Sequence, residues 1–268
     1  MKDVLQDIVK NKLIEVAQLK QAVSLSTLVR MGGERMEEEV HSMSQALSSS
    51  PSGIISEFKR KSPSKGWLHP NADVKEVVPA YEKAGASACS ILTDGNFFGG
   101  SVSDLQQARH LVDLPLLRKD FIIDEYQLYQ SRVLGADAIL LIAACLTHGE
   151  CQRLAECAHR LQLEVLLEIH SEEELDYLSC QPDMLGVNNR NLGTFDTNVD
   201  NSFHLVEKMK EAVKDSSTVL VAESGIRDTA TVKELRAAGF KGFLIGETFM
   251  KSEHPGATLQ QFIQDLSC

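Results

Sequence analysis

The sequence is short of several things, and each shortage closes off a class of protein. It carries one tryptophan, and aromatic residues make up 6% of its 268 positions. It has no basic excess: 27 lysines and arginines face 38 acidic residues, a formal net charge of −11. A broad nucleic-acid surface needs clustered cations to neutralise phosphates, so that class is set aside. A small anionic ligand is not, because a local basic patch can sit inside an acidic protein. No apolar run reaches the roughly 18 residues of a membrane span. The N-terminal stretch Met1–Leu13 is charged throughout, where a secretory leader would be continuously apolar. The six cysteines (Cys89, Cys145, Cys151, Cys157, Cys180 and Cys268) form no C-x-x-C pair and stand beside no histidine cluster at metal-ligand spacing. They read as reduced thiols. The expectation is a cytoplasmic chain with no metal site, no nucleic-acid partner and no membrane contact.

What is present is an ordinary globular composition, 43% apolar and 24% charged, with a strong pattern in it. Leu5, Val9, Leu13, Val16, Leu19 and Val23 recur at steps of three and four with Lys, Gln and Glu between them, which predicts a helix. A serine-rich stretch, Ser48 to Ser52 with Pro51, closes this section. From Gly53 onward, short apolar runs alternate with longer periodic stretches. The runs are Gly53–Phe58, Ser87–Thr93, Pro115–Arg118, Asp137–Ala143, Glu164–Glu168, Met184–Val187, Thr218–Ala222 and Gly242–Ile245. Most are apolar without alternation, as strands of a parallel sheet buried on both faces would be. Helix starts fall between them: Asp73 with Glu76, Ser103 with Gln106, Asp124 with Gln127, Thr147 with Glu150 and Ser171 with Glu174. Gly85, Gly135 and Gly239 stand where those helices would end. Eight βα units in one chain predict an α/β fold, the (βα)₈ barrel, as a single domain over 1–268 with 1–50 as an N-terminal helical extension near one mouth. An open doubly wound sheet fits less well, because the first run is followed by Lys59-Arg60-Lys61 and not by a glycine-rich turn.

In such a barrel the chemistry lies at the C-terminal ends of the strands. There the sequence places Glu57, Lys59, Lys119, Glu168, Arg190 and Glu223. Charges at the ends of buried runs need mutual pairing or a ligand, so a cluster at one end marks a site. Ser224-Gly225 and Gly246-Glu247 open the loops after the last two strands, where backbone amides of this fold often hold phosphate. Phe58, Phe121 and Trp67 are candidates for an aromatic pocket, with core or surface packing as the alternative. Phe97 and Phe98 before Gly99-Gly100 suggest a mobile loop, and His170 is read as structural.

These segments resemble the indole-3-glycerol phosphate synthase family. The matching stretches are Ile54–Ser64, Leu92–Asp94 with Phe97–Ser101, Leu117–Asp124, Leu166–Ile169, Gly186–Leu192, Ala222–Ile226 and Phe243–Glu247, in family order across essentially the whole chain. The resemblance implies conversion of 1-(2-carboxyphenylamino)-1-deoxyribulose 5-phosphate to indole-3-glycerol phosphate, carbon dioxide and water, with no cofactor and no metal. It implies Lys119 as principal acid and Glu168 as its partner, with Glu57 and Lys59 sharing acid-base work. Asn188, Arg190, Glu223 and Ser224 would contact or orient substrate. Ser62, Gly225, Gly246 and the Glu247 amide would bind phosphate. Some members carry serine where this chain has Glu247, so its side chain is expected to point away; Asn191 stands where aspartate is common. The expected partner is a phosphorylated small molecule, and the chain a monomer or weak homodimer. Two rivals fit worse. A phosphoribosylanthranilate isomerase would want a cysteine base after the first strand, and an inert scaffold barrel would not keep both Lys119 and Glu168.

Overall fold

The computed structural model describes residues 4–190 and 196–267. Among them, eight parallel strands close a barrel in sequence order: β1 (Ile54–Phe58), β2 (Ala88–Leu92), β3 (Leu116–Lys119), β4 (Ala138–Ile142), β5 (Glu164–Ile169), β6 (Met184–Asn188), β7 (Val219–Glu223) and β8 (Gly242–Ile245), with β8 paired back to β1. All eight coincide with the apolar runs to within a residue or two. Each strand is buried on both faces and so had no polar face to show in the sequence.

Helices precede and surround the barrel: α1 (Val4–Ala22), α2 (Leu25–Gly32), α3 (Met43–Ser49), α4 (Val74–Ala84), α5 (Gly95–Phe98), α6 (Val102–Arg109), α7 (Glu125–Leu134), α8 (His148–Arg160), α9 (Asp200–Ala212), α10 (Thr229–Ala238), α11 (Glu247–Met250) and α12 (Pro255–Ser267). The capping boxes Asp124/Gln127 and Thr147/Glu150 are formed on both sides, and Asp73 caps α4. Gly85 and Gly135 end their helices in the left-handed region, where a side chain would be strained.

Two capping expectations are corrected, and the buried face of α1 differs from its apolar repeat. The cap of α6 is Ser101, whose hydroxyl accepts from the Ser103 amide and so carries Ser103 into the helix. After β5 there is a 3₁₀ segment, Glu173–Cys180, with no side-chain cap. Glu174 is spent elsewhere, accepting the His170 backbone N–H at 2.6 Å. The buried stripe of α1 is Ile8, Lys12 and Val16, while Leu13 is 58% exposed. A count of apolar residues passes over a lysine, yet Lys12 has carboxylates waiting for it in the barrel mouth.

The two-residue period of a strand sorts its side chains between two cores. One set, including Ile54, Phe58, Val165, Leu167, Leu185, Val187, Leu220 and Phe243, packs outward under the helices. The other, including Ile55, Leu117, Leu140, Leu166, Met184, Val221 and Leu244, fills the barrel interior, with Met43 and Leu47 of α3 and Ile8 of α1 in the same cluster. The inward set continues, two residues on, into Glu57, Lys119, Glu168 and Glu223, and, two residues beyond Gly186, into Asn188. The apolar interior is thus the floor on which the charged residues stand.

Candidate active site

The strand ends open into a cavity of about 660 Å³. Glu57, Lys59, Lys119, Glu168, Asn188, Arg190, Glu223, Ser224, Gly225, Gly246 and Glu247 all line it. Lys119 stands at the end of β3 and donates to Glu168 Oε2 at 2.9 Å and to Glu223 Oε2 at 3.0 Å. Both carboxylates are almost wholly buried; the lysine side chain keeps 13% of its surface open. Lys59 pairs with Glu57 across the turn after β1. Strand register explains the closeness: Asn188 lies beside Glu223, and Glu168 lies level with Gly186.

Burial opposes charge on Lys119, but Glu168, Glu223 and Glu57 outweigh it and hold the ammonium protonated well above the usual lysine range. The two carboxylates on either side of it diverge. Burial works against ionised Glu168, yet Lys119 and His170 bring it down to about 2. Burial pushes Glu223 up to about 7, with Glu168 and Glu57 adding repulsion that Lys119 only partly offsets. One cation between two carboxylates thus gives an ionised partner and a carboxyl able to hold a proton near neutral pH. Such a separation is what acid-base chemistry in one cavity requires.

Two glycines leave the space these groups occupy. A Cβ on Gly186, midway along β6, would sit 2.3 Å from Glu223 Oε1, and one on Gly246 would sit 2.4 Å from Glu57 Oε1. Gly186 was missed in the sequence, although a glycine inside a strand is itself a signal of close approach. Around the mouths of β7 and β8 the lining turns cationic, with Arg190, Lys65, Arg227 and Lys251. Ser224 and Gly225 are consecutive left-handed residues, at φ 66° and 78°. This tight turn presents backbone at the cavity wall.

Several expectations are adjusted here. Ser62 is buried at the hairpin of Lys61–Ser62 with Gly66–Trp67; its hydroxyl accepts from the Lys65 amide, and it is not among the lining residues. The Glu247 carboxylate does not turn away: it meets Lys251 at 2.5 Å and Arg190 at 3.4 Å, so nearby cations offset its charge. Phe58 packs outward in the core beneath the Arg60 guanidinium, whereas Phe121 lines the cavity with its ring 6.0 Å from Phe98. The Phe97–Phe98 stretch is a helical turn capped by Asp94. Trp67 is 58% exposed and covers Gly99 and Lys61, outside the cavity. Asn191 lies outside the described residues.

The sequence reading also missed the N-terminal contribution. Leu5 and Ile8 of α1 line the cavity. Lys12, fully buried, reaches Asp120 at 2.8 Å, Asp94 at 3.2 Å and Glu15 at 2.9 Å. Asp120 follows Lys119 directly, and Arg118 grips it at 3.1 Å from the other side. Among the described residues, no group of three or more His, Cys, Asp or Glu is gathered as a metal ion would need. Within the same limits, no helix is long and apolar enough to cross a membrane, and the described cysteines form no disulfide, with Cys268 outside the described residues.

Known proteins fall in line with this geometry. The family model for indole-3-glycerol phosphate synthase matches residues 5–262. The chain is 58% identical over 264 residues to the indole-3-glycerol phosphate synthase of Bacteroides thetaiotaomicron, covering 98% of this chain and 99% of that one. It is 43% identical over 260 residues to the enzyme of that name from Neisseria gonorrhoeae, covering 96% and 98%. Among solved structures, KGPDC from Streptococcus mutans superposes with a TM-score of 0.59 at 10% identity, covering 80% of this chain and 96% of that one, a likeness of fold alone. The family match runs through both the barrel and the helices before it, and on it we conclude that this chain belongs to the indole-3-glycerol phosphate synthase family.

Proposed function

We propose that this chain closes the indole ring of tryptophan biosynthesis. It would act as a carboxy-lyase converting 1-(2-carboxyphenylamino)-1-deoxyribulose 5-phosphate to indole-3-glycerol phosphate, carbon dioxide and water. The observation that carries the reading is one protonated lysine, Lys119, held between Glu168 and Glu223 at the floor of a cavity with a cationic rim.

The reaction needs an acid on the ketone oxygen while an aromatic carbon attacks the ketone carbon. Lys119 supplies that proton, and Glu168 holds its ammonium in place. Carbon dioxide then leaves. The hydroxyl formed in the first step departs as water, which needs an acid at that oxygen and a base for the neighbouring proton. Lys59 with Glu57 stands across the cavity for this step, alongside Glu168. Each group is worth on the order of 10²–10⁴-fold. Arg190, the Ser224-Gly225 turn, Gly246 and the Glu247 amide hold the phosphate end, and Asn188 and Glu223 orient neighbours. Ser62 acts through the hairpin it anchors. Fixing both ends folds the substrate so that the reacting carbons meet. Every acid, base and cation named comes from one chain, so a monomer suffices, with a weak homodimer compatible. The reading places the work in the cytoplasm, in one barrel domain over 1–268 with 1–50 as its extension. It uses the side chains and backbone amides of the chain itself, with no cofactor and no metal.

The test is absorbance or fluorescence detection of the indole product from synthetic substrate. Turnover that survives dialysis against a chelator is expected. No indole formed by the folded wild-type chain would overturn the proposal.

A further inference from the structure

The charged cluster at the cavity floor is out of balance. Three carboxylates (Glu57, Glu168 and Glu223) share two ammonium groups, Lys59 and Lys119. An imidazole stands just behind them. His170 follows Glu168 by two residues, and its Nε2 lies 3.5 Å from Glu168 Oε1. That is the oxygen Lys119 leaves free, since Lys119 takes Oε2. On its other side, His170 Nδ1 lies 3.7 Å from Glu174 Oε2, in the 3₁₀ segment after β5. The groups facing the ring are therefore Glu168 on its own strand, Glu174 on the following segment and, further off, Glu223 on β7. From α9 comes the neutral Asn201, whose amide donates to the His170 carbonyl at 3.2 Å.

Both ring nitrogens are buried without a hydrogen bond of normal geometry. A neutral imidazole there would bury an unmatched donor and acceptor between carboxylates. A charged one meets an anion on each side. Burial works against the charge, but Glu174, Glu168 and Glu223 raise the ring above the ordinary histidine value.

We propose that His170 is a positioning residue for Glu168: its imidazolium stands against the carboxylate oxygen that Lys119 does not take, joins the Asn188 side chain in holding that carboxylate, supplies the third positive charge of the site, and keeps Glu168 turned toward Lys119. The inference rests on Lys119 and Glu168 being the working pair of the proposed reaction. It also replaces the structural role that the sequence suggested for His170.

Two measurements test it. The first is an NMR titration of the imidazoles, with the His170 signal assigned by its loss in His170→Asn. It is expected to titrate above the ordinary value of about 6.5 and to drop in Glu168→Gln. A His170 that titrates at or below that value, or ignores the Glu168 change, overturns the proposal. This measurement needs no turnover, so it decides His170 even if the wild type forms no indole and the proposed function falls. If His170→Asn fails to fold, Glu174→Gln provides the assignment by its own selective shift, and the wild type and Glu168→Gln then decide the question.

The second is the pH profile of kcat for ring closure. In the wild type, kcat is expected to fall by roughly tenfold as pH rises through the His170 titration, the scale on which groups behind a site's own ligands act. In His170→Asn the rate should start low, with KM little changed, and that inflection should be gone. A purely packing role would lower kcat uniformly and leave the inflection in place, which would refute the assignment.

Discussion

Lys119 and Lys12 make an instructive pair. Each is a lysine held by carboxylates at the mouth of the same barrel, and Asp120, the partner of Lys12, is the residue after Lys119. Each ammonium is driven above its ordinary range, against burial, by the acids around it. The difference is access. The Lys12 side chain is 1% exposed and lies between α1, Asp94 and Asp120; that of Lys119 keeps 13% and lines the cavity. The neighbours differ as well. Asp120 has a second cation, Arg118, beside Lys12. Glu223 has no second cation, and its Oε1 is buried without a hydrogen bond. A cluster closed off from the cavity, whose central carboxylate has a cation on each side, fastens one element to another. An open, unmatched one keeps a proton to move.

Substitutions should separate the two clusters, the largest effect coming first. Lys119→Ala should lower kcat by at least about 10²–10⁴-fold while leaving the thermal midpoint within a few degrees and the substrate still bound. Near-normal turnover would erase the distinction. Lys12→Met should do the reverse. Breaking a buried pair costs about 3–5 kcal/mol, read as a lower urea midpoint. Turnover per folded molecule should fall much less than in Lys119→Ala, with KM rising because Leu5 and Ile8 on the same helix line the cavity.

The pH dependence of stability sharpens the contrast, because Asp120 and Glu223 act with opposite signs. Burial opposes ionised Asp120, but Arg118 and Lys12 bring it from 3.8 to about 2. Its folded value is depressed. It therefore contributes stability above about 3.8, and loses it as pH falls toward about 2. The contribution at neutral pH is on the order of 2 kcal/mol. Glu223 is raised from 4.5 to about 7, so it costs stability as pH rises across that interval. Urea unfolding as a function of pH should show Asp120→Asn flattening the acid side and Glu223→Gln flattening the neutral side. Equal slopes in wild type and both variants would count against the pairing described. The smallest effect belongs to Lys20→Ala, also on α1. Its partner Asp124 lies 2.6 Å away, but the lysine is exposed and Asp124 only half-buried. The expected loss is under about 1 kcal/mol. A larger one would mean that pairing, rather than burial, fixes α1 to the barrel.

The sequence by itself determined the barrel and most of the chemistry in it. Apolar runs such as Ala88–Leu92 can be buried only if both faces are covered, and eight of them separated by capped helices leave one way to do so. The ionisable residues at the strand ends could be found because charge is rare at the end of a buried run. Tertiary structure alone decided what depended on partners distant in the chain. Lys12 looked like a solvent-facing lysine until Asp94 and Asp120 met it, more than eighty residues on. Ser62 and Phe58 lie beside site residues in sequence, but strand alternation and a hairpin turn them away from the cavity. Gly186 matters only because Glu223 fills the space its missing side chain leaves. Hydrophobic period and capping act over a few residues and can be read along the chain. Burial of charge depends on what closes over it, and that is settled only when the strands complete their ring.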